Sequence, residues 1–311
     1  MTDLLSLLKE PLVLDGSMST PLEAWGEQTN TDLWTAEALL DHPERVYRVH
    51  YEYFKAGARM TITDTYQTSI PAFEKHGLSA SEARGLMEKA AEIALKARDD
   101  YEERTGIHNF VAGSVGPYGA YLADGSEYQG DYLLSRDQYV DFHAPRIEEL
   151  VKSRVDCLAI ETQPRLDEVQ AILAYLKEQY PEIPVYVSFS LKDPETISEG
   201  TPLTAAIQAV QDDPQVFAAG INCFKLEWGS AAVKTVKSVA KKPVVIYPNS
   251  GAEYDPEAKA WKYPAEGTSF GTAAKDWLHA GATIVGGCCT TMPSDIAKVN
   301  AAVKKLEMEL E

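Results

Sequence analysis

Eight short apolar runs, each closed by small or polar residues and separated by segments of helical period, predict an α/β chain folded as a single (β/α)8 barrel of the TIM type over residues 1–311. A length somewhat above the roughly 250 residues usual for such a barrel supports this reading. The alternative, a doubly wound open sheet, is weakened because Asp15-Gly16-Ser17-Met18-Ser19 after the first run does not match the G-x-G-x-x-G of dinucleotide sites. No proline- or serine-rich linker divides the chain, so one domain is expected.

The apolar runs are Leu12–Leu14, Arg59–Thr63, Phe110–Ala112, Cys157–Ile160, Val185–Phe189, Val216–Ile221, Val244–Tyr247 and Thr283–Val285, each short and often β-branched, as buried strands are. Between them, Pro43–Ala56, Ser79–Glu103, Arg136–Ser153, Leu166–Gln179, Leu203–Val210, Gly229–Ala240 and Phe270–Ala280 carry helical spacing. Two polar stretches break the alternation. Tyr118–Asp131, rich in Gly, Tyr, Asp and Ser and free of β-branched residues, follows the third run, where a barrel places an active-site loop. Asn249–Gly267, with Tyr254, Trp261 and Tyr263, follows the seventh. Lids and plain surface insertions are equally compatible with both.

A net charge of −18, from 47 acidic and 29 basic side chains, repels phosphate backbones and anionic membrane surfaces, so nucleic acid is excluded as an expected partner. An acidic chain suits a cationic small molecule, although much of the excess, as in Asp99–Glu103 and Glu307–Glu311, reads as solvated helix surface. No apolar run reaches the roughly 18 residues of a membrane span, and MTDLLSLLKEPLVLDG lacks the basic start of a secretory signal, so the expected location is cytoplasmic. Four cysteines are too few and too scattered for a disulfide framework.

Three of those cysteines carry the strongest local signal. Cys288 and Cys289, in Gly286-Gly287-Cys288-Cys289-Thr290-Thr291, directly follow the eighth run, and Cys223, in Gly220-Ile221-Asn222-Cys223, ends the sixth. C-terminal strand ends share one face of a barrel. Three thiols converging there make a three-cysteine site with an open fourth position, which suits catalytic zinc, one ion per chain. Any one of them alone reads better as a small buried hydrophobe. Cys157 lies inside its run and is assigned to packing. The six histidines show no metal-ligand spacing, and no G-x-S-x-G supports a serine nucleophile.

Together with LDGSMST, TDLWTAEAL, TITDTYQTS, AGSVGPYGAYLADGSEYQGDY, AIETQP, SFSLKD, EGTPL and VVIYPNSGAEYD, the GINC and GGCCTT motifs resemble the homocysteine S-methyltransferase family over nearly the whole chain. GSVGPYGAYLADGSEY is most similar to the bacterial S-methylmethionine branch. The resemblance implies a barrel whose zinc is held by Cys223, Cys288 and Cys289, with the homocysteine thiol as fourth ligand and a methylsulfonium donor. S-Methylmethionine is the expected donor and S-adenosylmethionine a second candidate.

The resemblance also implies acidic residues at the positions of Asp15 and Glu161 that serve the homocysteine ammonium, with the backbone near Gly16 and Ser17 meeting the carboxylate. Either acid could instead cap a helix or form a structural ion pair. Trp34 resembles the donor-site tryptophan of the betaine enzyme, and Tyr66 stands where that enzyme has a mouth-facing tyrosine; aromatic faces attract methylated cations. Tyr118, Tyr121 and Tyr247 read as core or rim aromatics. Asn222 is placed with the substrate-binding residues, and with Asn249 it is expected to orient neighbouring groups through hydrogen bonds. Asp124, Ser126 and Glu127 are expected to meet the amino-acid end of the donor. Two other classes compete: a barrel lyase or hydrolase with Glu161 as base and zinc as Lewis acid, and a zinc-storing or redox-sensing protein. The oligomeric state is not legible.

Overall fold

The computed structural model describes residues 4, 8, 10–29, 35–255, 260–262 and 269–310. Eight parallel strands form one sheet: β1 (Leu12–Val13), β2 (Met60–Ile62), β3 (Phe110–Val115), β4 (Cys157–Gln163), β5 (Val185–Phe189), β6 (Val216–Asn222), β7 (Val244–Tyr247) and β8 (Ile284–Val285). Each is followed by an outer helix: α1 (Pro43–Ala56), α2 (Ala80–Thr105), α3 (Arg136–Lys152), α4 (Leu166–Gln179), α5 (Leu203–Gln211), α6 (Gly229–Lys237), α7 (Phe270–Ala280) and α8 (Pro293–Leu310). Shorter helices at Ser19–Ala24, Ala36–Asp41 and Ile70–Lys75 sit in the first two connections.

From β2 to β8 spatial order follows chain order, and β8 returns to β1 with Leu12 opposite Ile284 and Val13 opposite Val285. The ring closes between β1 and β2 through the Leu14–Met60 bridge. There Arg59 N donates to Val13 O at 2.8 Å and Asp15 N donates to Met60 O at 3.0 Å. A doubly wound sheet would keep two free edges; this closure rules it out.

Strand alternation divides the core in two. Leu14, Met60, Ala112, Cys157, Tyr186 and Val245 fill the barrel interior. Their strand neighbours Val13, Val111, Leu158, Val187, Ile246 and Val285 pack outward against the helices. Cys157 is fully buried inside, with its Sγ 4.0 Å from Met60 Sδ. Helix starts are fixed locally: Ser79 with Glu82 and Ser135 with Gln138 form reciprocal capping boxes for α2 and α3.

The two polar stretches are not featureless. Tyr118–Leu122 is a short helix and Ser126–Tyr128 a 3-10 turn. In the second stretch, Glu253–Asp255 pairs antiparallel with Ala260–Lys262; residues 256–259 and 263–268, and so Tyr263, lie outside the described residues. Among the described residues no helix is long and apolar enough to cross a membrane.

Candidate active site

The C-terminal ends of β1, β2, β4, β6, β7 and β8 surround one cavity of about 660 Å3 including its mouth. Cys223, Cys288 and Cys289 meet there, their Sγ atoms all within 4.8 Å of one another, and Cys223 and Cys289 are 3.6 Å apart. Paired glycines make this approach possible. A Cβ at Gly286 would stand 2.6 Å from Leu14 Cβ and 2.8 Å from Asp15 O, and one at Gly287 would stand 2.6 Å from Thr291 Cγ2. The chain leaving β8 can therefore lie flat against β1. Cys223 itself takes φ +54° and Thr290 φ +63°, conformations that cost about 1–3 kcal/mol each and persist where surrounding bonds impose them. Those bonds are Cys223 N to Tyr247 O at 3.0 Å, Cys288 N to Pro248 O at 2.8 Å and Cys289 N to Asn249 Oδ1 at 3.1 Å. Hydrogen bonds from Cys223 and Cys288 hold the Cys289 thiol well below its ordinary range, while contacts with Cys223 and Cys289 push Cys288 up.

Glu161 reaches the cavity through a bulge. The β4–β5 register shifts between Ile160 and Gln163, and Thr162 adopts φ +55°. Such a bulge re-aims a side chain at the end of a strand. Asn222 holds it in place: its Oδ1 accepts Thr162 N at 2.8 Å, and its Nδ2 donates to Thr162 Oγ1 at 2.7 Å. Ser114 Oγ donates to Glu161 Oε1 at 2.5 Å and Tyr247 OH donates to Oε2 at 3.0 Å. Across the cavity, Asp15 Oδ2 accepts Thr61 Oγ1 at 2.6 Å and Ile62 N at 2.8 Å. Burial outweighs these hydrogen bonds at both acids and lifts each to about 7.

A soft, thiol-rich cluster and two buried carboxylates thus share one cavity, an arrangement suited to holding an amino-acid thiol by its sulfur and its ammonium. A family model described as Homocysteine S-methyltransferase matches residues 12–303. The chain belongs to the homocysteine S-methyltransferase family. It is 43% identical over 301 residues to a homocysteine S-methyltransferase of Bacillus subtilis (strain 168), covering 95% of each chain. A homocysteine S-methyltransferase of Escherichia coli (strain K12) is 43% identical over 293 residues, covering 93% of this chain and 94% of that one. The metallated form of the homocysteine methyltransferase MmuM from Escherichia coli superposes with a TM-score of 0.86 at 40% identity, over 94% of this chain and 96% of that one.

Within this barrel of the homocysteine S-methyltransferase family the remaining expected residues separate. Gly16 and Ser17 line the cavity, but Ser17 N donates to Thr291 Oγ1 at 3.0 Å and is already engaged. Tyr66 lines the cavity and is half-buried. Trp34 lies outside the described residues. Asn222 is fully buried and does not line the cavity; both ends of its amide serve Thr162. Of the β3 loop residues, Asp124 is exposed and its Oδ1 accepts from Ser126 N at 3.0 Å and Ser126 Oγ at 2.5 Å, while neither Asp124 nor Glu127 lines the cavity.

Two tyrosines matter more than sequence suggests. Tyr247, expected as core or rim material, is 1% exposed and holds Glu161 from the last position of β7. Tyr128, which the sequence does not single out, is 45% exposed as a residue, and its hydroxyl comes within 3.2 Å of Cys223 Sγ. Strand-end position marks Tyr247; nothing but loop composition precedes Tyr128.

Proposed function

We propose that this chain, acting as one barrel domain in the cytoplasm, is a zinc-dependent enzyme that methylates homocysteine with S-methylmethionine, S-adenosylmethionine being a second candidate donor. The observation that carries this reading is the cluster of Cys223, Cys288 and Cys289 sharing a cavity with Asp15 and Glu161. Tetrahedral zinc with Zn–S bonds of about 2.3 Å separates its sulfurs by about 3.8 Å, so the 3.6 Å between Cys223 and Cys289 fits that ion. Zinc held by the three cysteines supplies a centre that keeps the substrate thiol deprotonated at neutral pH.

The chain's own groups then bind and orient. Asp15 and Glu161 take the homocysteine ammonium from two sides, and Gly16, which lines the same cavity, offers its N–H to the carboxylate. Ser114 and Tyr247 fix the Glu161 carboxylate. Tyr66 gives the sulfonium an aromatic wall. As the homocysteine sulfur forms its bond to the donor methyl carbon, the carbon–sulfur bond of the donor breaks and its electron pair stays on the donor sulfur. No proton moves at carbon, so Asp15 and Glu161 are needed as binding groups and not as a proton relay.

A donor panel on zinc-replete protein with homocysteine tests this. S-Methylmethionine is expected to exceed betaine by at least about ten-fold in kcat/KM, the scale of one charge-assisted contact, and the panel ranks S-adenosylmethionine against it. Betaine as the best donor overturns the donor assignment, and a homocysteine-independent hydrolysis would overturn the methyl-transfer reading.

A further inference from the structure

A third carboxylate faces the cavity and has no part in the chemistry above. Asp64, just beyond β2, lines the cavity and is 5% exposed. Thr35 Oγ1 donates to its Oδ1 at 2.5 Å, which fixes the group. Its Oδ2 is buried and accepts no hydrogen bond among the described residues. A buried carboxylate oxygen with no donor is costly, and one that faces a cavity is a place for a cationic ligand to complete. Burial raises Asp64 to about 6, so at neutral pH it is largely ionised.

The cavity itself offers no relief. Asp15, Asp64 and Glu161 line it, and among the described residues no Lys, Arg or His does. Homocysteine brings a single ammonium, which Asp15 and Glu161 take. The cation that answers Asp64 must therefore arrive on the other substrate. An amino-acid sulfonium carries two positive centres and one carboxylate, hence a net positive charge. A betaine is neutral overall and would bring its own carboxylate into an already anionic cavity.

We propose that Asp64 binds the cationic methyl donor and selects an amino-acid sulfonium over a betaine. This rests on the sulfonium-donor reading above and gives it a residue. A donor centre against Oδ2 removes the bare oxygen, while Thr35 keeps the carboxylate from turning away.

The test uses full-length, zinc-loaded protein carrying Asp64→Asn or Asp64→Ala. KM is measured for S-methylmethionine at saturating homocysteine, and for homocysteine at saturating donor. Titration calorimetry with S-methylmethionine alone gives Kd without turnover, and thermal melting and zinc content are followed alongside. Asp64→Asn is expected to raise both the KM and the Kd for S-methylmethionine about ten-fold or more, as loss of a charge-assisted contact does. The preference for S-methylmethionine over betaine should fall by a similar factor. The KM for homocysteine and the zinc content should stay within about two-fold, and the melting temperature should hold or rise because an unanswered buried charge is gone. Unchanged donor affinity in the folded Asp64→Asn protein, or equal rises in both KM values, overturns the assignment. If the unmodified enzyme turns over S-methylmethionine and Asp64→Asn is indifferent, only this inference falls. If the unmodified enzyme uses no sulfonium, the proposed function falls with it.

Discussion

Glu161 and Glu168 stand seven residues apart in the chain, at 6% and 0% exposure, yet they sit in opposite kinds of surroundings. Glu168, on α4, is answered within the chain. Its Oε1 accepts Tyr118 N at 2.6 Å and His143 Nε2 at 2.7 Å, and its Oε2 accepts Tyr132 OH at 2.6 Å. Behind it, Arg146 donates to His143 Nδ1 at 2.8 Å and to the carbonyls of Tyr66 at 2.7 Å and Gly116 at 2.6 Å. This network ties the β2 end and the β3 loop to α3 and α4. Among the described residues, Glu161 accepts hydrogen bonds from two hydroxyls and no cation, and it lines an acidic cavity. Burial alone therefore does not mark a functional acid here. What sets Glu161 apart is a buried carboxylate that no cation of the described residues bonds.

Removing cavity thiols should have the largest effect. Cys288→Ala with Cys289→Ala is expected to abolish turnover and bring zinc, measured by elemental analysis, below about a tenth of an ion per chain, because one thiolate cannot hold the ion. Cys157→Ala, in the barrel interior, should leave zinc near its original level. Full zinc in the double variant would sink the metal assignment.

Glu168→Ala is expected to lower unfolding stability by about 3–5 kcal/mol in urea, since it strands buried polar partners, while the KM for homocysteine in the folded protein moves little. Glu161→Gln should do the reverse: a homocysteine KM raised by the equivalent of about 1.5–3 kcal/mol with stability kept or improved. If the two variants behaved alike, the contrast between answered and unanswered charge would fail.

The smallest effect concerns pH. Asp15 and Glu161 are lifted to about 7 from their ordinary 3.8 and 4.5. The folded chain therefore holds protons that the unfolded chain releases, and the stability contribution of these two groups falls as pH rises from about 4 to about 7. Relative to Asp15→Asn with Glu161→Gln, the unmodified protein should lose melting temperature across that window. A constant difference between the two melting curves would contradict the raised values.

What the sequence reveals follows from what each residue must do locally. Buried parallel strands carry apolar runs, and Val185–Phe189 and Val244–Tyr247 begin and end where those runs do. β4 continues to Gln163, past the charge at Glu161 that ends its apolar run, because a bulge carries the ladder through. Pro164 directly follows that bulge, but no glycine stands at its left-handed position. Its left-handed Thr162 is held from β6 by Asn222, a contact between residues 60 positions apart. In the sequence Asp64 is one letter of TITDTYQTS; that its Oδ2 accepts no hydrogen bond among the described residues is a property of the packed cavity. Asp124 reads as a ligand for the donor because it is acidic and in the right loop; in the fold its Oδ1 closes a local turn with Ser126 and the residue does not line the cavity.

The join between β1 and β2 is the thinnest in the barrel wall, a single bridge at Leu14 and Met60, and Asp15 extends it by accepting the Ile62 amide at 2.8 Å. The carboxylate proposed to take the acceptor's ammonium thus also laces the wall shut. Breathing of this joint and departure of the acceptor are then linked, because opening the joint pulls Asp15 away from both. The Ile62 amide should exchange with deuterium more slowly when homocysteine is bound and faster in Asp15→Asn, so that one backbone proton reports, from inside the wall, whether the cavity is filled.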